Sequence, residues 1–462
     1  MNRSIVSMLL ATFMLRVSTA ITGGMLVFLV DEFTRRRGTG PGAISLLTGG
    51  FYATELTGAI VFGVLADRYG RKVIMLLGPL FGAVAVFLTG LTIHMPVLFV
   101  TRLLEGGSTA ASIPSTLGFI AAETAHDEKL RGRVVSLFEF VSLGGMLAVG
   151  PAVSGLLWDG FGRPAFFLNC GFYLVALALY AYGVSEVPRA RQSEIEGRAE
   201  GVGGRLTLRG EVARYLKMAT SRTVLRFAPT WLSINAILGL WALQAPLLLK
   251  GNISDPSQYL MKGVSATTIG LGEAVIAVVF GAGLLFWGTV YARFRRSTLL
   301  LAGLGAFVVT ALAVLVVNHF GETTAILVGF GLVALGGMFV LSGATPAALG
   351  LLADVSEGFE QDRSSIMGLF SVLLGLGQVI GALIGGIAAS WNGIDGLIVA
   401  TFGLLAVGLV ALLNLRANEA MLLHARANLA GEGPAAELLR VQLPGGGGTL
   451  PATREEIRKE DR

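Results

Sequence analysis

The stretch Gly63-Val64-Leu65-Ala66-Asp67-Arg68-Tyr69-Gly70-Arg71-Lys72 decides how the rest of the chain is read. It is a short polar gap between two long apolar runs. One acid and three bases gather where the apolar runs stop, and Gly70 supplies the backbone freedom of a tight turn. Such a gap is what separates two helices that cross a membrane and return.

Composition requires the same solvent. Of 462 residues, 53% are hydrophobic and 14% charged, and the mean hydropathy is +0.72. A soluble domain carries about 25% charged residues, so an aqueous core cannot cover this much apolar surface and the lipid bilayer must act as partner and solvent. The net charge of +5 is spread over the gaps rather than gathered in a patch, which excludes a nucleic-acid partner. Cys170 is the only cysteine, and the four histidines form no H-x-x-x-H pair, so neither a disulfide, a metal site nor a cofactor is expected. No G-x-x-x-x-G-K-[ST] phosphate loop is present, which argues against an ATP-driven pump. The polar segments are too short for a catalytic domain, so the chain is not read as an enzyme.

A membrane helix needs about 20 largely apolar residues. About twelve such runs occur, roughly at 4–31, 44–66, 73–93, 97–120, 134–157, 164–184, 226–249, 268–291, 298–318, 323–352, 365–389 and 394–415. The first is too long for a signal-peptide core of about 7–15 residues and reads as a retained membrane helix. Expected units are a six-helix bundle over 1–184, a charged linker over 185–225, a second six-helix bundle over 226–415 and a polar tail over 416–462. The tail is expected to form one short helix near 417–429 and to be largely disordered beyond. With the N-terminus inside, the inner loops and tails hold 27 of the 35 Lys and Arg and the outer loops six, although Arg35-Arg36-Arg37 runs against the bias. Both termini are therefore expected in the cytoplasm. The excess of Arg over Lys and the abundance of Ala and Gly suggest a bacterial source.

The chain also repeats itself. Gly288-Thr289-Val290-Tyr291-Ala292-Arg293-Phe294-Arg295-Arg296 follows run eight as the 63–72 stretch follows run two. It keeps the first Gly and the basic cluster, with Ala292 in place of Asp67 and Arg295 in place of Gly70. Arg131 to Gly145 is echoed by Arg363 to Gly377.

The 63–72 stretch matches G-x-x-x-D-R-x-G-R-[KR] at every fixed position. It thereby resembles the loop between helices 2 and 3 of major facilitator superfamily (MFS) transporters. Three further stretches resemble family motifs. Arg102-Leu103-Leu104-Glu105-Gly106-Gly107 resembles R-x-x-Q-G-x-G, with Glu105 where Gln is usual. Glu123 followed by Arg131-Gly132-Arg133 resembles the acid and R-G-R loop. Gly150-Pro151 and Gly155 resemble G-x-x-x-G-P-x-x-G-G, the motif of antiporters. Here the first Gly of that pattern falls on Met146, one past Gly145, and the penultimate Gly falls on Ser154. The resemblance covers residues 1–415. It implies an all-α integral membrane protein with twelve transmembrane helices in two pseudo-symmetric six-helix bundles, of the drug:H+ antiporter type, acting as a monomer in the bacterial plasma membrane. It further implies an inner-gate network of Gly63, Asp67, Arg68, Gly70, Arg71, Lys72, Glu123 and Arg131, whose charges latch one state and part when the halves rock.

Ionisable side chains inside membrane helices cost about 2.5–3.5 kcal/mol each and persist for function or in pairs. Arg16, Glu55, Arg102, Glu105, Glu139 and Glu273 are of this kind. A carboxylate balanced between burial and a nearby arginine can load and release a proton near neutral pH. Glu55, Glu105 and Glu139 are the proton-carrier candidates, with Arg102 as their modulator. The i,i+3 spacing of Arg102 and Glu105 also suits a static pair. Glu139 lies close enough to the inner interface to snorkel, and Glu273 reads as an interfacial residue. The resemblance places helices 1, 4, 7 and 10 around the cavity. Arg16, Trp231, Asn235, Trp241 and Gln244 are therefore substrate-cavity candidates, suited to an amphiphilic organic ligand. The function expected is secondary active transport by alternating access, as proton-coupled efflux of a hydrophobic or amphiphilic small molecule. The alternative is proton-coupled uptake of a sugar, an organic acid or another metabolite, in which Arg16 and Arg102 would meet an anion.

Overall fold

A computed structural model describes residues 2–37, 41–92, 94–124, 127–185, 222–251, 257–290, 293–356 and 363–429. Most of the 185–225 linker and the tail beyond 429 lie outside the described residues. So do the side chains of Asp67, Arg68 and Arg131.

The apolar runs are helices. In order they are α1 (Arg3–Arg37), α2 (Pro41–Tyr69), α3 (Arg71–Leu91), α4 (Met95–Glu123), α5 (Glu128–Leu143), α6 (Gly150–Phe161), α7 (Ala165–Ala178), α8 (Arg222–Ala242), α9 (Gln244–Leu249), α10 (Ala266–Val290), α11 (Arg296–Phe320), α12 (Thr324–Leu341), α13 (Ala344–Ser356) and α14 (Arg363–Leu429). Run five is α5 and α6 joined by a π-helical turn, Gly144–Val149, and run seven is α8 with α9. Runs eleven and twelve are the two arms of α14, which breaks at Asn392 and Gly393 (φ 56°). The break is held from outside. Gln258 accepts the Ile394 N–H at 3.0 Å and donates to the Asn392 carbonyl at 3.2 Å. The short helix expected near 417–429 is the end of α14, not a separate element.

Local chemistry sets the boundaries. Gly70 turns the chain between α2 and α3 at φ 104°, a conformation in which a side chain would be strained. Asp127 caps α5 by accepting the Leu130 N–H at 2.9 Å. In packing, α1 lies against α6 and α7, α2 and α3 against α4, α11 against α12, and α10 against α6.

The internal repeat has a physical counterpart in where backbones touch. Arg71 at the head of α3 lies on Gly118 of α4 and donates to its carbonyl oxygen. Arg296 at the head of α11 lies on Gly350 of α13, as close as Arg71 lies on Gly118. A Cβ on Gly145 would sit 3.2 Å from the Phe13 carbonyl oxygen and from the Arg16 Cβ. A Cβ on Gly377 would likewise meet the Leu232 carbonyl oxygen (3.0 Å) and the Asn235 Cβ (2.7 Å).

The π turn explains the sequence departure at the Gly-Pro motif. The Gly150 N–H reaches the Gly145 carbonyl, five residues back instead of four. Gly150 abuts the Val17 carbonyl and the Ala20 Cβ of α1, directly along from Gly145 on Phe13 and Arg16. Five α-helical residues would turn the second glycine about 140° past a full revolution, away from α1. The wide turn absorbs one extra residue and returns both glycines to one face. In the second half, Gly377 and Gly381 are four residues apart, and both abut α8 within an ordinary helix. Deleting Ala148 should therefore leave the thermal midpoint of the purified protein nearly unchanged. Deleting Ala152, in regular α-helix, should lower it steeply. Equal losses would contradict the assignment.

Candidate translocation site

Helix α4 carries Arg102 and Glu105 on one face, three residues apart. Arg102 Nη1 pairs with Glu105 Oε2, and both side chains are buried (relative exposure of the residues 4% and 1%). The Tyr173 hydroxyl of α7 donates to Glu105 Oε1 at 3.1 Å and shares a 3.1 Å bond with Thr19 of α1. The Arg102 guanidinium rests 4.6 Å from the centroid of the Phe51 ring on α2, a favourable cation–π distance. Beside this node, Asn169 bonds Ser18 and Thr22 of α1. Four helices are thus joined through one buried ion pair, and Glu105 has both oxygens bonded.

Glu55 and Glu139 are placed differently. Glu55 is half-buried on α2 and Glu139 is exposed on α5. Among the described residues neither has a hydrogen bond or an ion pair. Both lie in the field of Arg16, itself half-buried on α1 without such a partner, and Glu55 also feels Arg102. The phenol of Tyr52 stands among the same charges. Sequence reasoning missed Tyr52 and Tyr173, because phenols in apolar runs carry no distinguishing pattern.

The chain's two halves are sealed together at the end of the bundle remote from the 63–72 turn. Asp159 at the end of α6 accepts the Thr267 N–H at 2.7 Å and the Ala266 N–H at 3.3 Å, the first amides of α10. Lys250 approaches Asp159 at 3.8 Å and sits 5.5 Å from the Phe28 ring centroid. Gly155 lies on the Ala266 carbonyl, and Gly270 lies on the Pro151 carbonyl. The pseudo-symmetric seam joins α2 to α14. Ser45 donates to the Ala382 carbonyl at 2.7 Å and abuts Gly386, and Gln244 donates to Ser45 at 3.0 Å. Asp159 had no sequence signal, since nothing local shows that a helix start lies opposite.

The other candidates occupy packing positions. Trp231 is buried and stacks on Phe227 (centroids 6.3 Å apart), Asn235 is buried and donates to the Trp231 carbonyl, and Gln244 is in the seam just described. Trp241 donates to Thr401 at 2.8 Å. At the turn end, Glu123 accepts from Asn2, Lys72 is half-buried, and a Cβ on Gly63 would touch Pro114 at 3.9 Å.

Comparison with known proteins settles the family. The family model described as Major Facilitator Superfamily matches residues 8–251 and 256–441. The chain belongs to the Major Facilitator Superfamily. The curated relatives of this family are named as transporters or resistance proteins, and among the described residues ten helices are long and apolar enough to cross a membrane. Multidrug resistance protein 1 of Bacillus subtilis (strain 168) is 31% identical over 160 residues, 34% of this chain and 40% of that protein. Multidrug resistance protein MdtG of Salmonella typhi is 28% identical over 256 residues, 53% of this chain and 58% of that protein. The matches thus span less than two thirds of the length of these relatives. The crystal structure of the nucleoside transporter NupG has the same fold, with a TM-score of 0.68, 11% identity, and coverage of 90% of this chain and 99% of that one.

Removing one partner of a buried ion pair leaves the other charge uncompensated, at about 3–5 kcal/mol. Glu105→Ala should lower the thermal midpoint of this MFS protein sharply, and Arg102→Met with Glu105→Leu should recover most of the loss. Additive losses in the double variant would show that the pair is not a structural node.

Proposed function

We propose that this transporter exports hydrophobic or amphiphilic small molecules in exchange for protons by alternating access, as a monomer in the bacterial plasma membrane with both termini cytoplasmic. Residues 1–184 and 226–415 are the two moving bundles, 185–225 links them, and 416–462 is a cytoplasmic tail. The observation that carries the reading is the division among the intramembrane carboxylates. Glu105 is fully bonded and holds the first bundle together. Among the described residues Glu55 and Glu139 have no fixed partner, and they share the field of Arg16. They are the groups free to take up and release a proton, with Arg16 setting how readily they do so.

The sealed end carrying Asp159 is then the outer gate, and the network around Gly63, Asp67, Arg68, Gly70, Arg71, Lys72, Glu123 and Arg131 is the inner one. The seam through Pro151 and Gly155 against α10 keeps the outer gate closed by close backbone contact, while Gly150 packs on α1. Multidrug resistance relatives support an amphiphilic substrate. A second reading, proton-coupled uptake of an anionic metabolite, is favoured by one observation, the guanidinium of Arg16, which has no partner among the described residues.

The two readings separate in liposomes holding the purified protein, a lipophilic dye and an imposed pH gradient. Proton-driven dye movement is expected, with Glu55→Gln and Glu139→Gln each reducing it by about a hundredfold or more, as for loss of a proton-transfer group. A dye that stays put while an organic anion accumulates with the proton would overturn the efflux reading.

A further inference from the structure

Helix α10 meets the first bundle along a stripe that includes Ala266, Ile269 and Gly270. Ile269 is buried in the core shared with α1 and α6, and Gly270 is pressed against the Pro151 carbonyl. Glu273 follows Gly270 by three residues and Ile269 by four, so it projects from the same face one turn farther in. There the packing loosens and Glu273 is half-buried. Ala266 begins the helix about 10 Å away along the axis at 1.5 Å per residue, so Glu273 lies about two turns inside α10.

No protein cation meets it among the described residues. The elements packed against α10 are α6, the π turn, α12 and α13. The π turn (Gly144–Val149) and α12 contain no charged residue, α6 contains Asp159 alone and α13 contains Asp354 alone. Both are acids, and Asp159 is engaged at the start of α10. Among the described residues Glu273 has no ion pair and no hydrogen bond. A carboxylate in this position is costly unless something positive comes to it. The surroundings are apolar. On α10 itself Ala277 follows on the same face, and the π turn packed on α10 carries Met146 and Ala148, all of them half-buried. The alanines are small, so the carboxylate is not screened by bulk on its own helix. An acid set in apolar walls suits a bulky organic cation, whose charge meets the carboxylate and whose body covers hydrocarbon.

We propose that Glu273 recognises cationic substrates beneath the outer gate and so sets the charge preference of the transporter. The proposal rests on the efflux reading above and adds the substrate class. Its position next to the α6–α10 seam means that a bound cation lies against the contact that must part when the outer side opens.

The test is equilibrium dialysis of the purified full-length protein with tetraphenylphosphonium, a permanent cation, and with triphenylphosphine oxide, its neutral relative. Glu273→Gln should weaken tetraphenylphosphonium binding by about tenfold or more and leave triphenylphosphine oxide binding unchanged, which also reports an intact fold. Glu273→Asp should retain most of the cation binding. Unchanged cation binding in Glu273→Gln, or equal loss of both probes, overturns the proposal while the efflux reading stands. Failure of the unsubstituted protein to bind either probe overturns the amphiphile reading, and the proposal with it.

Discussion

A charge in a lipid-solvated protein needs a partner or a purpose, and the arrangement of this bundle follows from that constraint. Arg102 and Glu105 meet it by pairing. Their ion pair, closed by Tyr173 and packed on Phe51, joins α1, α2, α4 and α7 at a point where no water can substitute. Because both charges are paired, α4 is a fixed post on which α2 and α3 pack. Glu55, Glu139, Arg16 and Glu273 do not meet it in the same way. They are half-buried or exposed, without an ion pair or hydrogen bond among the described residues.

The second organising force is close backbone approach. With lipid tails as apolar as the side chains, helices associate by packing and by short polar contacts. Gly155 and Gly270 let α6 and α10 touch through backbone, and Gly386 makes room for the Ser45 side chain between α2 and α14. These contacts hold one end of the bundle closed with little side-chain area. Asp159 adds a polar clasp on the first amides of α10. A partly exposed pair such as Lys250 and Asp159 contributes only about 0.2–1 kcal/mol, so this clasp costs far less to open than the buried ion pair of Arg102 and Glu105.

The apolar run lengths and the Gly63–Lys72 stretch were enough to foresee an all-helical bundle of this superfamily. Gly70 at φ 104° is the turn that its place between two runs required. The repeat was legible too, and its deepest expression, Arg71 on Gly118 and Arg296 on Gly350, pairs residues that the sequence echo had aligned at only one end. What could not be read was direction. Spacing put Arg102 and Glu105 on one face, but not that the face looked toward Tyr173. Trp231 and Trp241 fitted a ligand cavity by type, yet they pack on Phe227 and Thr401. The misplaced Gly145 looked like decay of a motif. Only the backbone shows that a wide turn restores its register. For Glu273 the distance along the run was visible and its side of the helix was not.

In the proposed mechanism Glu105 is structural, Glu55 and Glu139 carry protons, and Glu273 meets the substrate. Infrared difference spectroscopy of the reconstituted protein across a pH titration tests this division directly, by following the carbonyl band of protonated carboxyl groups. A titrating band that shrinks in Glu55→Gln and in Glu139→Gln and persists in Glu105→Gln is expected. A band that survives the first two substitutions and vanishes with Glu105 would contradict it.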